Sequence, residues 1–106
     1  MKNHYLIVAV MALSISTAAF SSENGEELFT KSKCSSCHKI DAKTVGPAVK
    51  EIAAKYAGST DAQAMLEKKA RNGGGGVWGK MPMPKTKDTV SDADIKTMVE
   101  WILSHK

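Results

Sequence analysis

Cys34-Ser35-Ser36-Cys37-His38 places two thiols three residues apart, with a histidine directly after the second one. This spacing is typical of a c-type haem attachment site. Each thiol can add across one haem vinyl group to form a thioether, and the following histidine can then supply an axial ligand to the iron. We therefore predict one covalently bound haem c, attached through Cys34 and Cys37, with His38 as an iron ligand.

Two other uses of this cysteine pair fit the sequence less well. A disulfide would close a very small loop and would stabilise the chain little through loop entropy. It would more plausibly be a thioredoxin-like redox pair, but that fold alternates strands with helices, and the sequence has almost no strand pattern. A zinc site would need a second pair of well-spaced ligands beside Cys34, Cys37 and His38.

The N-terminal leader has the order of regions found in a secretory signal peptide. Residues 1–4 are weakly basic, residues 5–13 form an apolar run, and residues 14–19 are small. The apolar run is too short to span a bilayer comfortably, and no cysteine follows that could carry a lipid. We predict cleavage after Ala19 or Ser21 and release into the periplasm without a membrane anchor. The alternative is an uncleaved N-terminal anchor.

The remaining residues 22–106 allow one small domain and no more. The full chain has a formal net charge of +4 at pH 7, and only one basic residue, Lys2, would leave with the leader. A domain this small has a thin core and often needs a covalent staple or a cofactor. The sequence shows no internal repeat and no nucleic-acid motif, so we expect no nucleic-acid partner.

Helical periodicity predicts an all-α domain with about four short helices, two of which flank the haem motif. The first covers residues 23–33, with Ser22 or Asn24 as its cap, and runs directly into the motif. The second covers residues 48–57 and begins after the helix-breaking Pro47. It carries apolar residues at helical spacing: Val49, Ile52, Ala53 and Tyr56.

The other two predicted helices enclose a long loop. Thr60 and Gln63 have the spacing of a capping box for a third helix over residues 61–72. A fourth helix begins at Ser91 and runs towards the C-terminus. Between them, residues 73–90 hold too many glycines and prolines for regular structure. A loop this long in so small a domain is often functional.

The sixth position of the iron needs a second ligand. Met81 and Met83 lie in a stiff, proline-rich part of the loop. Residues i and i+2 of an extended chain face the same way, so their spacing does not separate the two. The other donors are predicted to leave with the leader (Met1, Met11, His4), to be core (Met65, Met98) or to be solvated (His105). The alternative is an open sixth position, with both methionines as mere haem contacts.

Further motifs accompany the haem motif along the mature chain: Glu27-Leu28-Phe29, Val45-Gly46-Pro47-Ala48, Asn72-Gly73, Gly76-Val77-Trp78-Gly79, Pro82-Met83-Pro84 and Val90-Ser91-Asp92. Together they resemble the small bacterial class I cytochromes c, specifically those of the cytochrome c-551 type. The pair Gly-Val-Trp-Gly and Pro-Met-Pro is the most specific part. The resemblance implies the class I cytochrome c fold, wrapped around one haem.

The resemblance also implies roles for single residues. Met83 matches the axial methionine of the family, so we prefer it to Met81. Pro47 matches the residue whose carbonyl accepts a hydrogen bond from the axial histidine. Trp78 matches a tryptophan whose indole N–H binds a haem propionate, with an ordinary core aromatic as the alternative. Trp101 is predicted to be core that packs the last helix on the first.

Two positions depart from the family pattern. The family often has an asparagine shortly after the methionine, where it binds the sulfur. Here Lys85-Thr86 occupies that region, the stretch up to Ser91 is longer, and Thr86 could replace the asparagine. A family arginine near the propionates corresponds to Lys69, which can pair with a propionate but not as a bidentate fork.

These roles imply a monomeric, periplasmic one-electron carrier rather than an enzyme. With both axial positions filled, the iron exchanges electrons without exchanging ligands, and His/Met ligation raises its reduction potential. Family members connect larger redox proteins, such as a cytochrome complex as donor and a nitrite reductase or terminal oxidase as acceptor. Two other classes stay open: a haem enzyme or gas sensor with a vacant sixth position, and a thiol oxidoreductase.

Basic residues near the haem-contacting segments predict a docking surface. If they surround the haem edge, they would steer an acidic redox partner at a rate that depends on salt. The residues concerned are Lys31, Lys33, Lys39, Lys43, Lys80, Lys85 and Lys87.

Overall fold

A computed structural model describes residues 22–105 of the chain. That range holds four helices and one 3₁₀ turn: α1 (Ser22–Lys31), the turn (Cys34–Ser36), α2 (Val49–Lys55), α3 (Ala62–Asn72) and α4 (Asp92–Leu103). No β-strand occurs among the described residues, although Gly74 and Met83 form an isolated antiparallel bridge. The prediction of an all-α fold with about four short helices is confirmed.

The predicted leader lies outside the described residues, so cleavage after Ala19 or Ser21 stays a prediction. Over residues 22–105, no helix combines the length and the apolar character needed to cross a membrane.

Helices α1 and α4 meet at a glycine. Gly25 is buried against α4, and a Cβ atom on it would lie 2.2 Å from Trp101 Cβ. Only glycine permits this approach. One turn further along α1, the ring of Phe29 packs on the Trp101 indole with centroids 5.1 Å apart. Trp101 is itself buried, which confirms the prediction that it packs the last helix on the first.

Helix α4 is the centre of the fold, because it packs on each of the other three helices. Its buried residues are Ile95, Met98, Val99 and Trp101. Helix α2 buries Val49, Ile52 and Ala53 at the predicted spacing, while Tyr56 at its end is half-buried. The core is therefore small and consists mainly of aliphatic side chains placed around α4.

The two predicted capping boxes have different outcomes. Ser91 caps α4 as predicted, because its hydroxyl accepts a hydrogen bond from the Asp94 N–H at 3.1 Å. The capping box of Thr60 and Gln63 is wrong. Helix α3 begins at Ala62 without a side-chain cap, and the Gln63 amide instead donates to the Lys96 carbonyl of α4 at 3.1 Å. The side chain of Gln63 therefore makes a tertiary hydrogen bond to α4 and not the local cap that the sequence pattern predicts.

Helix α1 ends two residues earlier than the periodicity predicts. Lys33 has a φ of 68°, in the left-handed region, and this turn separates α1 from the cysteine motif. At the other end, α1 begins at Ser22, so Asn24 lies inside the helix and is not its cap. The prediction that α1 runs unbroken into the motif is therefore wrong.

The histidine near the C-terminus is not solvated as predicted. The His105 side chain is half-buried, and its Nδ1–H donates to the Trp101 carbonyl at 2.8 Å. Its ring also meets the Trp101 indole edge-on, with centroids 4.5 Å apart. The end of α4 thus holds the His105 side chain against the buried Trp101.

Candidate haem site

A cavity of about 440 Å³ opens between the helices and the long loop. Its lining is mostly apolar and includes side chains from α1, α3 and α4. The potential haem-binding side chains also line it: Cys34, Cys37, His38, Trp78, Met81 and Met83. The fold therefore brings the cysteine motif and the methionine loop, which are far apart in sequence, to one space.

The 3₁₀ turn presents the cysteine motif as one unit. The N–H groups of Cys37 and His38 both donate to the Cys34 carbonyl, at 3.2 and 3.0 Å. The two thiols are half-buried and are not joined to each other. Burial raises the pKa of the Cys34 thiol, so this thiol is protonated at neutral pH. Both cysteines line the cavity, and neither sulfur is used in a disulfide.

The imidazole of His38 is held in one orientation. Its Nδ1–H donates to the carbonyl of the buried Pro47 at 2.8 Å. This bond commits the proton to Nδ1 and leaves the Nε2 lone pair free. The Cys37 carbonyl fastens the same loop, since it accepts hydrogen bonds from the Gly46 N–H at 2.8 Å and the Thr44 hydroxyl at 2.7 Å.

The two loop methionines differ in burial and in backbone support. Met83 is half-buried, and its N–H and carbonyl both pair with Gly74 at 2.9 Å. Met81 is 69% exposed and lies outside that bridge. Of the two helix methionines predicted to be core, Met98 is buried, but Met65 is 43% exposed and lines the cavity. The core assignment of Met65 is therefore wrong.

Trp78 and Lys69 also line the cavity. Trp78 is 38% exposed, so it is not an ordinary core aromatic in this structure, and the Lys55 ammonium lies 5.4 Å from its ring centroid. Lys69 lies near Gly74, on the side of the cavity that carries the methionine loop. Neither lysine belongs to an ion pair found among the described residues.

Thr86 does not make the contact that the resemblance suggests. Its hydroxyl donates to the Ala70 carbonyl at 2.5 Å, which uses its only proton, so it cannot donate to a methionine sulfur. Sequence reasoning also missed Arg71, whose guanidinium holds the segment that follows Met83. Its partners lie 16 to 21 residues further along the chain, and no local pattern marks them.

A family model described as cytochrome c matches residues 22–106. Cytochrome c-551 of Azotobacter vinelandii is 49% identical over 84 residues, which are 79% of this chain and 100% of that protein. Cytochrome c-551 of Pseudomonas aeruginosa is 48% identical over 84 residues, 79% of each chain. The crystal structure of wild-type Nitrosomonas europaea cytochrome c552 superposes with a TM-score of 0.72 at 48% identity, covering 76% of this chain and 99% of that one.

The chain therefore belongs to the cytochrome c family. Within that family it is one of the small class I proteins of the cytochrome c-551 type. Membership implies one covalently bound haem c with its iron and a role in electron transport. The residues present fit that group, because an apolar cavity holds two free thiols, an imidazole with a free nitrogen and a thioether side chain. The thiol oxidoreductase and zinc alternatives are thereby set aside.

Gly46 provides a test of the His38 orientation. A Cβ atom at this position would lie 2.5 Å from His38 Cε1 and 2.8 Å from Nδ1. We expect Gly46→Ala to displace the imidazole, to weaken the bond to Pro47 and to destabilise the haem-loaded protein by about 1–3 kcal/mol. Denaturant unfolding measures the loss, and exchange of the Nδ1–H proton by NMR measures the weakened bond.

The neighbouring substitution Val45→Ala is the control, because it shortens an exposed side chain and adds no atom beside the ring. An Nδ1–H that exchanges equally slowly in Gly46→Ala and in the control would contradict the tight packing of Gly46 on His38.

Proposed function

We propose that this protein is a periplasmic one-electron carrier whose haem iron is bound axially by His38 and Met83. The observation that carries the proposal is the placement of one oriented imidazole and one backbone-anchored thioether on the same apolar cavity. Such a pair fills both axial positions and leaves no site for a substrate. The protein then needs only to hold the haem, exclude water and present its edge to partners.

The histidine ligand is supported by its hydrogen bond. Since Pro47 occupies Nδ1, the nitrogen available for iron is Nε2. A hydrogen bond of this kind fixes the ring and raises the basicity of the ligand. His38 also follows Cys37 directly, so covalent attachment of the haem through Cys34 and Cys37 would hold the iron close to the ring.

The methionine ligand is supported by burial and by the bridge to Gly74. A stiff segment loses little entropy when it holds a sulfur in place, and both backbone groups of Met83 are already paired. Met81 lacks this support and is mostly exposed. Thioether ligation favours Fe(II) and raises the reduction potential, and the apolar surroundings act in the same direction.

The propionate contacts are proposed for Trp78 and Lys69. Each carries a donor, an indole N–H or an ammonium, and each lines the cavity. A lysine binds a carboxylate as a point charge rather than as a fork, so the contact from Lys69 leaves more freedom than an arginine would.

Replacing each loop methionine tests the ligand set. We expect the wild-type haem protein to show a low-spin spectrum with a far-red Met–Fe(III) band, because a thioether fills the sixth position. Met83→Ala should abolish that band and lower the reduction potential, whereas Met81→Ala should retain both. The change is read from optical spectra of the oxidised and reduced proteins.

The same experiment separates the carrier from a haem enzyme or gas sensor. Rapid carbon monoxide binding to the reduced wild-type protein, together with a high-spin spectrum that Met83→Ala leaves unaltered, would show an open sixth position and would reject the carrier.

Export to the periplasm is proposed from the leader. The basic start, the apolar run and the small residues before Ser22 have the order of a cleavable signal. We expect intact-mass analysis of the exported, haem-loaded protein to give an N-terminus at Phe20 or Ser22. A mature protein that retains residues 1–19 would instead support the uncleaved anchor.

A docking surface for an acidic redox partner is proposed at the exposed rim of the cavity. Val45 and Val77, which line the cavity, are each 56% exposed, and Met81, which also lines it, is 69% exposed. Of the seven lysines named from the sequence, only Lys43 lines the cavity; Lys31 pairs with Glu27 at 3.7 Å. Lys68 and Lys69 add positive charge to the same lining. The partner would be one redox protein as donor and another as acceptor, with the carrier acting as a monomer.

Salt dependence tests this surface. We expect the electron-transfer rate with an acidic redox protein to fall several-fold as salt rises, because screening weakens the attraction. Lys43→Gln should lower the low-salt rate, while Lys96→Gln, at an exposed position of α4 that does not line the cavity, should not. Rates that do not change with salt would contradict electrostatic steering.

A further inference from the structure

The segment that follows Met83 is fastened to the end of α3. Residues 84–91 contain no helix or strand, so few backbone bonds of their own hold them. The Thr86 N–H donates to the Ala70 carbonyl at 3.2 Å, and the Thr86 hydroxyl donates to the same oxygen at 2.5 Å. Thr86 is the only polar residue among the buried side chains of the described chain. These two hydrogen bonds to the Ala70 carbonyl are therefore partly shielded from water.

Arg71 fastens the rest of the same segment. Its Nη1 donates to the Lys87 carbonyl at 3.2 Å and its Nη2 to the Val90 carbonyl at 2.6 Å. It also pairs with Asp92 at 2.8 Å. The Arg71 side chain is only 25% exposed, but that of Asp92 is 94% exposed, so the ion pair by itself contributes little. The hydrogen bonds from Arg71 to the Lys87 and Val90 carbonyls are therefore what holds the segment.

The same end of α3 also holds Met83 itself. Gly74 pairs with both backbone groups of Met83. A Cβ atom on Gly73 would lie 2.3 Å from the Met83 carbonyl oxygen and 2.8 Å from Lys85 N, so the two backbones touch. Four of the residues between 70 and 74, namely Ala70, Arg71, Gly73 and Gly74, thus contact the segment that runs from Met83 to Val90.

We propose that Arg71 and Thr86 are positioning residues that keep the Met83 sulfur at the iron. The inference rests on the proposed His38/Met83 ligation. A neutral thioether stays bound because its segment is held in advance, and loosening the segment raises the population in which the sulfur has left. An external ligand that competes for the sixth position measures that population directly.

The test uses imidazole as the competitor and the oxidised, haem-loaded protein. Thr86→Val removes the hydroxyl at nearly constant shape, and Arg71→Gln removes the fork. We expect each to raise the apparent affinity for imidazole by roughly 3- to 10-fold, in keeping with the loss of one or two hydrogen bonds. Thr86→Ser, which restores a hydroxyl, should return the affinity to within about twofold of wild type.

Two matched controls separate positioning from general stability. Thr97→Val makes the same change in α4, where the Thr97 hydroxyl donates to the Ala93 carbonyl at 3.1 Å. Asp92→Asn removes the exposed charge but leaves the bonds from Arg71 to the carbonyls. Neither control should change imidazole affinity. If Thr86→Val and Arg71→Gln lower the denaturation midpoint but leave imidazole affinity at the wild-type value, the inference is overturned.

Hydrogen exchange of the wild-type protein provides a second test, and this test does not depend on whether a variant folds. Imidazole binding should reduce the hydrogen-exchange protection of the Gly74, Met83 and Thr86 amides together. Protection of Thr86 that is unchanged while that of Met83 is lost would overturn the coupling. A wild-type protein that lacks the Met–Fe(III) band would be a different result, because it would reject the ligation by Met83 itself.

Discussion

The close contact between Gly25 and Trp101 is the constraint on which the haem site depends. It allows α1 to lie against α4 at a distance that a side chain would prevent. Phe29 can then pack on Trp101, and its ring centroid lies 6.3 Å from that of His38. Since the cysteine motif follows α1 after a single turn, this helix pair places Cys34, Cys37 and His38 at the cavity.

The opposite part of the site is built from the end of α3. There the chain has no regular structure to hold the methionine loop, and glycines at positions 73 and 74 let backbone meet backbone. Arg71 and Thr86 add hydrogen bonds to the segment beyond Met83. One wall of the cavity is therefore set by helix packing, and the other by hydrogen bonds between a helix end and a loop.

The apolar cavity explains why a cofactor belongs to this fold. A domain of this size buries few large side chains, and those that it does bury surround α4. Side chains such as Met65 and Val77 remain exposed on or beside the cavity although they are apolar. A haem in that space would cover them and extend the core, so the cofactor of the cytochrome c family contributes to packing as well as to electron transfer.

Local chemistry was readable from the sequence alone. The spacing of Cys34, Cys37 and His38 predicts the haem, helical periodicity predicts the four helices, and Ser91 marks the start of α4, because each of these depends on neighbours within a few residues.

Spacing did not separate Met81 from Met83, and the choice first came from a family resemblance. Their different burial and the bridge to Gly74 appear only in the tertiary structure. Gln63 was misjudged and Arg71 was missed because their partners are set by how helices and loop pack: the amide of Gln63 binds another helix and Arg71 binds a distant loop. A side chain with long reach takes the partner that the fold supplies, and no local pattern encodes that choice.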